Sequence, residues 1–201
     1  MTTSLLQRIE LATRCRDVPA MTRLGSQLLS GEKDSFDPGR GAELLTLAAR
    51  DGGAEAAALM AVLCGAGVCR TQSWDDALDY LQQASERGWA SAQAQLKLLC
   101  ADDDLQERSD GIPDRDVHAW RRLREAVSIA DWIDAPARDV ILETPRIRKI
   151  DGFVSKAVCR WLIESARERL ERARIYSPVG GGPAINPSRT NTETDFNIVQ
   201  S

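Results

Sequence analysis

Shifting the chain against itself by 36 residues superposes Leu45 on Leu81, Ala48 on Ala84, Gly52 on Gly88, Ala54 on Ala90 and Ala56 on Ala92. Few folds accept such a period. Recurrence in this range marks stacked helix pairs, each too small to bury its own apolar face alone. The alanines fit that reading physically, because small side chains let two helices approach closely.

The local pattern around the repeat is helical. Leu5, Leu6, Ile9, Ala12 and Cys15 recur at helical spacing after a Thr/Ser cap. Asp17 is a cap for a second helix, with Pro19 in its first turn and Met21, Leu24, Leu28 and Leu29 on one side. Asp37-Pro38 opens a third, which Asp51-Gly52-Gly53 ends, and Ser73 with Asp76 reads as a capping box for a helix that stops at Gly88. From Pro113 the spacing of Val117, Trp120, Leu123, Val127 and Ala130 predicts one long helix that runs to Trp132-Ile133. The five tryptophans (Trp74, Trp89, Trp120, Trp132, Trp161) read as core anchors.

Residues 40–96 resemble Sel1-like repeats, relatives of the tetratricopeptide class. The match lies in Gly65-x-Gly67-Val68 at the inter-helix turn, then Ala77, Tyr80, Ala84, Gly88 and Ala92. The family usually carries an aspartate shortly after Gly-Val, where this chain has Arg70-Thr71-Gln72. The resemblance implies a solenoid-like array that holds a protein or peptide partner.

The last quarter changes character. Residues 101–145 carry 12 acids and 6 bases, whereas residues 146–177 carry 9 bases and 4 acids, so the charge changes sign near Thr144-Pro145. Ile147 and Ile150, flanked by Arg and Lys, read as a strand ending at a Gly turn. Ser155 caps a helix through Leu170, and Arg174-Ile175-Tyr176 form a second strand before Gly180-Gly181-Gly182-Pro183 and Asn186-Pro187. The expected organisation is a mainly α chain. A helical repeat spans 1–110, a connecting helix 111–144, and an incomplete α+β segment 145–201.

This order resembles the start of the prolyl 4-hydroxylase-like fold of 2-oxoglutarate- and Fe(II)-dependent dioxygenases. The residues that carry it are Ile150-Asp151-Gly152-Phe153-Val154-Ser155, then Cys159-Arg160-Trp161-Leu162, then Arg189-Thr190-Asn191 in place of Arg-Thr-Ser. The resemblance implies a double-stranded β-helix, or jelly roll, of which this segment is the beginning. It places Arg189 and Asn191 at the substrate cleft. The family's iron ligands, a His-x-Asp pair and a distal histidine, are not supplied here, since His118 is the single histidine of the 201 residues. The reading therefore expects the front part of a longer dioxygenase, inactive by itself, with no catalytic or metal-binding residue in this stretch. Fe(II) and 2-oxoglutarate belong to the longer parent. A helical adaptor without catalysis is the competing reading.

The remaining signals exclude more than they propose. The net charge of -4 argues against a nucleic-acid partner. The longest apolar run, Ala56 to Cys69, has 14 residues, short of the roughly 18 to 20 a membrane span needs. No basic and then apolar leader opens the chain, and five scattered cysteines favour a reducing, cytoplasmic setting. Cys64-x4-Cys69 lacks zinc-site spacing, and thiols buried at a repeat turn are expected instead. The bases of residues 121–124 and 156–174 are interleaved with glutamates, which predicts ion-paired helix surfaces.

Overall fold

A computed structural model of the chain describes residues 4–31, 35–109, 111–134, 136–176, 183–185, 188 and 190–194. The chain is mainly helical with a few short strands, and it divides into two compact units at Ile133/Asp134.

The first unit begins with six helices in three consecutive pairs: α1 (Leu5–Arg14) with α2 (Val18–Ser30), α3 (Pro38–Arg50) with α4 (Ala54–Ala66), and α5 (Trp74–Glu86) with α6 (Ala90–Leu99). The second helix of each pair starts at Val18, Ala54 and Ala90, each 36 residues after the last. Most of these starts are written in the side chains. Ser4 and Gln7 form a reciprocal capping box on α1. Asp17, Asp37 and Ser73 accept the N–H groups of Ala20, Arg40 and Asp76, which otherwise lack intrahelical partners. Gly53 and Trp89, at the corresponding positions of α4 and α6, make no side-chain cap.

The turn within each pair needs one residue at positive φ, and it recurs at the same period: Arg16, Gly52 and Gly88. In the first turn an arginine takes the left-handed conformation that glycine reaches without a Cβ clash. Asp17 N–H then reaches back to the Ala12 carbonyl, and this six-to-one bond closes the helix end.

Packing follows the sequence order, α2 on α3, α3 on α4, α4 on α5 and α5 on α6. The core contains every leucine and alanine of the 36-residue superposition from Leu45 to Ala92 except Ala54 and Ala90, which open their helices. Leu45, Ala48, Ala56 and Ala84 are fully inaccessible to solvent.

Residues 113–133 differ from the single long helix expected there. A short α7 (Asp103–Glu107) is capped by Asp102, and α8 (Val117–Glu125) starts only after Asp116, whose carboxylate accepts the Ala119 N–H. The helix breaks after Glu125 because its exit pairs with the end of α6. Ala101 N–H donates to the Ala126 carbonyl, and Cys100 bridges Val127. A separate α9 (Ile129–Ile133) follows. The amphipathic α8 packs on α5 and α6. Trp120 is buried there and donates from Nε1 to the Pro113 and Asp114 carbonyls at 3.2 and 3.1 Å. Arg124 of α8 binds Asp79 at 2.9 Å and Asp75 at 3.1 Å on α5, so this base of the 121–124 cluster is an ion-paired surface contact. The tryptophans do not all serve as core anchors: Trp120 does, whereas Trp74 and Trp132 are exposed. A tryptophan at a helix start or end has fewer neighbours to cover it.

The second unit, residues 134–196, opens with an antiparallel pair, β1 (Asp139–Leu142) and β2 (Ile147–Lys149), joined by a turn that contains a cis Thr144–Pro145 bond. Next come α10 (Lys156–Arg167), capped by Ser155, then β3 (Glu171–Arg172), β4 (Arg174–Tyr176), β5 (Pro183–Ile185) and β6 (Thr192–Glu193). β4 pairs antiparallel with β5, and β3 with β6. The strand at 139–142 falls inside the stretch read above as a connecting helix; its Val-Ile-Leu run is extended because β2 supplies the backbone partners. Among the described hydrophobic residues of this unit only Val158 and Ala173 are buried.

Candidate functional site

Of the two residues that the sequence assigns to a substrate cleft, Arg189 lies outside the described residues. Asn191 sits immediately before β6, is exposed, and accepts the Ala173 N–H through its backbone carbonyl at 3.1 Å. Around it, Glu171 stands opposite Glu193 across the β3–β6 pair. Like charges in that position repel. Arg174 offsets the repulsion, since its guanidinium lies 3.6 Å from Glu171 and its backbone N–H donates to Glu193 Oε1 at 2.9 Å. The local chemistry at Asn191 is therefore a charge-compensated strand edge.

The turn before α10 is built by short-range contacts. Lys149 pairs with Asp151 at 2.7 Å, Gly152 takes positive φ, and Ser155 Oγ accepts the Val158 N–H at 3.2 Å. Phe153 and Val154 between them are exposed.

The described residues do not form a ligand set for Fe(II). Among the described residues no group of three or more His, Cys, Asp or Glu side chains could hold a metal ion, and His118 is exposed on α8.

A second polar cluster escaped the sequence reading. Arg70, just past the α4 exit, donates to Cys64 Sγ at 3.0 Å and to Thr46 Oγ1 at 3.4 Å, and interacts electrostatically with Tyr80. Its Nε is buried without a partner, and no carboxylate among the described residues pairs with it. Burial alone would lower the Arg70 pKa; the interactions with Cys64 and Tyr80 outweigh it and hold the guanidinium charged. Burial likewise pushes the Cys64 thiol up, against the pull of Arg70, so Cys64 is a poor nucleophile at neutral pH. The arrangement is a clamp that ties α3, α4 and α5 through neutral acceptors. The one hint in the sequence was Arg70 standing in the turn where an aspartate is usual. The other thiol of that turn, Cys69, is exposed at positive φ, in contrast to the burial expected for both.

Clefts lie between neighbouring helices. One, of about 300 Å³, lies between α1 and α2, and includes Leu11, Cys15 and Leu24 with Arg8 and Arg23. Another, of about 350 Å³, lies between α7 and α8, where Leu105, Ile112 and Leu123 meet Arg108 and Arg122. Among the described residues no helix is long and apolar enough to cross a membrane.

No protein-family model, curated protein or solved structure matches this chain.

Proposed function

We propose that the chain is a Sel1-like helical scaffold that holds a protein or peptide partner, joined to the opening part of a prolyl 4-hydroxylase-like dioxygenase domain. What supports the scaffold is the 36-residue recurrence of helix starts, positive-φ turns and small core residues across three consecutive pairs. Helix pairs built to one period stack into an extended surface, and that is the use such arrays serve.

The dioxygenase reading rests on the order of elements in the second unit. Strand β2 leads through Asp151-Gly152-Phe153 into the Ser155-capped α10, and two antiparallel pairs follow, with Asn191 at the last strand. One observation carries it furthest. Nine large hydrophobic side chains between Val140 and Leu170 are exposed, against Val158 and Ala173 buried. So much uncovered apolar surface calls for further structure to pack against it. In the parent enzyme, O2 would oxidise 2-oxoglutarate to succinate and CO2, one oxygen atom entering succinate and the other hydroxylating a substrate, a peptidyl proline being one candidate. The iron site would come from residues beyond Ser201, and this stretch would be inactive by itself. A cytoplasmic setting, with all five cysteines unpaired, goes with the proposal.

Reading the coding sequence downstream of Ser201 tests it. A continuing frame with His-x-Asp, then a distal histidine followed by a basic residue, is expected. A stop codon with no such continuation in any frame would leave a helical adaptor without catalysis. Succinate release from 2-oxoglutarate and O2, in the presence of Fe(II), by this chain alone would overturn the assignment of the iron site to another segment.

A further inference from the structure

We propose that the groove between α1 and α2 is the docking surface for an acidic amphipathic helix of a partner protein. The inference rests on the scaffold reading above and names the surface and the chemistry of what it holds.

The first observation concerns coverage. Leu6 and Leu11 on α1 are 56% and 51% exposed. The positions 36 and 72 residues beyond Leu6 are Ala42 and Leu78, which are 5% and 4% exposed. Those two are covered because α3 packs on α2 and α5 packs on α4. α1 packs chiefly on α2, and no helix precedes it among the described residues. At both recurrences of the Leu6 position a neighbouring helix covers the side chain, and the counterparts of Leu11, Leu47 and Gln83, are half-buried.

The second observation concerns charge. Arg8 and Arg23 flank the groove, above a floor of Leu11, Ala12, Cys15 and Leu24. Thirty-six residues later their positions are taken by Leu44 and Leu59, both 3% exposed. Seventy-two residues on they are Tyr80 and Gln95, both half-buried, so the uncharged side chains at the covered copies of this face give way to two arginines where it is open. Neither has an ion pair among the described residues. The lining carboxylate, Asp17, is committed to capping the Ala20 N–H at 3.0 Å.

Together these choose the occupant. Residues 4–31 hold four arginines against two carboxylates in a chain whose net charge is -4. A second copy docked by the same face would bring Arg8 and Arg23 of both copies into one interface, which disfavours self-pairing. A helix with leucines at i, i+3, i+4 and i+7 and glutamates beside them meets both the floor and the rim.

The test uses the full chain and a fluorescein-labelled synthetic helix of that composition, with a second helix bearing lysine at each glutamate. The glutamate helix should bind saturably, more weakly as salt rises, and should protect Cys15 from alkylation while the exposed Cys69 and Cys159 still react. Arg8→Glu with Arg23→Glu should weaken the glutamate helix by about tenfold or more and strengthen the lysine helix. Leu6→Ser with Leu11→Ser should weaken both, with helicity and melting unchanged. Binding that leaves Cys15 reactive, or that ignores the charge exchange, overturns the site while leaving a partner-holding role to the rest of the helices. Absence of saturable binding overturns the proposal. So does a dimer of the full chain, seen by sedimentation, that the two serines dissociate, because a second copy is then the occupant.

Discussion

Gly25 of α2 and Gly41 of α3 meet backbone to backbone. A Cβ on Gly41 would lie 2.8 Å from the Gly25 carbonyl oxygen, and one on Gly25 would lie 3.0 Å from the Gly41 carbonyl oxygen. Thirty-six residues on, the same two places are Ala61 and Ala77, both buried. The first crossing is therefore closer than a methyl group permits, and the second is not.

Gly41→Ala should destabilise the fold by about 1–3 kcal/mol, the usual cost of overpacking, despite alanine's better helix propensity. The obstructing atom is a backbone oxygen, which cannot rotate away. Gly39→Ala, two residues earlier, meets only Asp37 Oδ1 at 3.8 Å and should be neutral or stabilising. Thermal melts of the two variants check the contrast.

Arg16 and Asp51 link the first two turns. Arg16 Nε donates to Asp51 Oδ2 at 2.8 Å, and a second guanidinium nitrogen contacts Oδ1. The Asp51 side chain keeps only 7% of its accessible surface, while Arg16 keeps 70%. The hydrogen bond from Arg16 holds the Asp51 carboxyl below its ordinary value of 3.8, against the opposing effect of desolvation. A carboxylate depressed in the folded state stabilises above its unfolded pKa, and that contribution drains away as pH falls through the folded value. Melting temperatures of wild type and Asp51→Asn should differ at pH 6, and the difference should shrink as pH falls below 3.8. A constant difference across that range would refute the linkage.

Trp120 fastens α8 to the helical unit by volume and by its indole N–H. Trp120→Ala should cost about 3–5 kcal/mol, the range for emptying a large aromatic site. Trp120→Phe keeps most of the volume but removes the donor to Pro113 and Asp114, and should cost about 1 kcal/mol, since residues 113 and 114 are exposed and water can reach those carbonyls. Denaturant titration of the three proteins ranks them.

The five thiols should divide by burial. Brief alkylation at pH 8 should modify Cys15, Cys69 and Cys159 and spare Cys64 and Cys100, which are buried. Cys64 is doubly protected, because burial also raises its pKa. Peptide mapping by mass spectrometry reads the outcome, and early modification of Cys64 would contradict its placement beneath Arg70.

Much of the helical unit was legible because its signals are local. Asp17, Asp37, Ser73 and Ser155 each cap the helix that their side chains predict, and Gly52 and Gly88 sit at turns that need positive φ. The first pair escaped the repeat because Arg16 occupies the position glycine holds in the other two. The break after Glu125 escaped because its cause is a partner at the end of α6, Cys100, 27 residues before Val127, that no spacing within α8 reveals. The Arg70 cluster was hidden for the same reason: Thr46, Cys64 and Tyr80 come from three helices.

The amino-acid sequence by itself determined which segments are helices, where they start, and the 36-residue period of the pairs, because capping groups, glycines and apolar spacing act within a few residues of where they stand. Only the tertiary structure decided how close α2 comes to α3, which tryptophan is core, and which apolar face is left open on α1. Those depend on what a neighbour covers, and coverage is a property of packing between segments far apart in the chain.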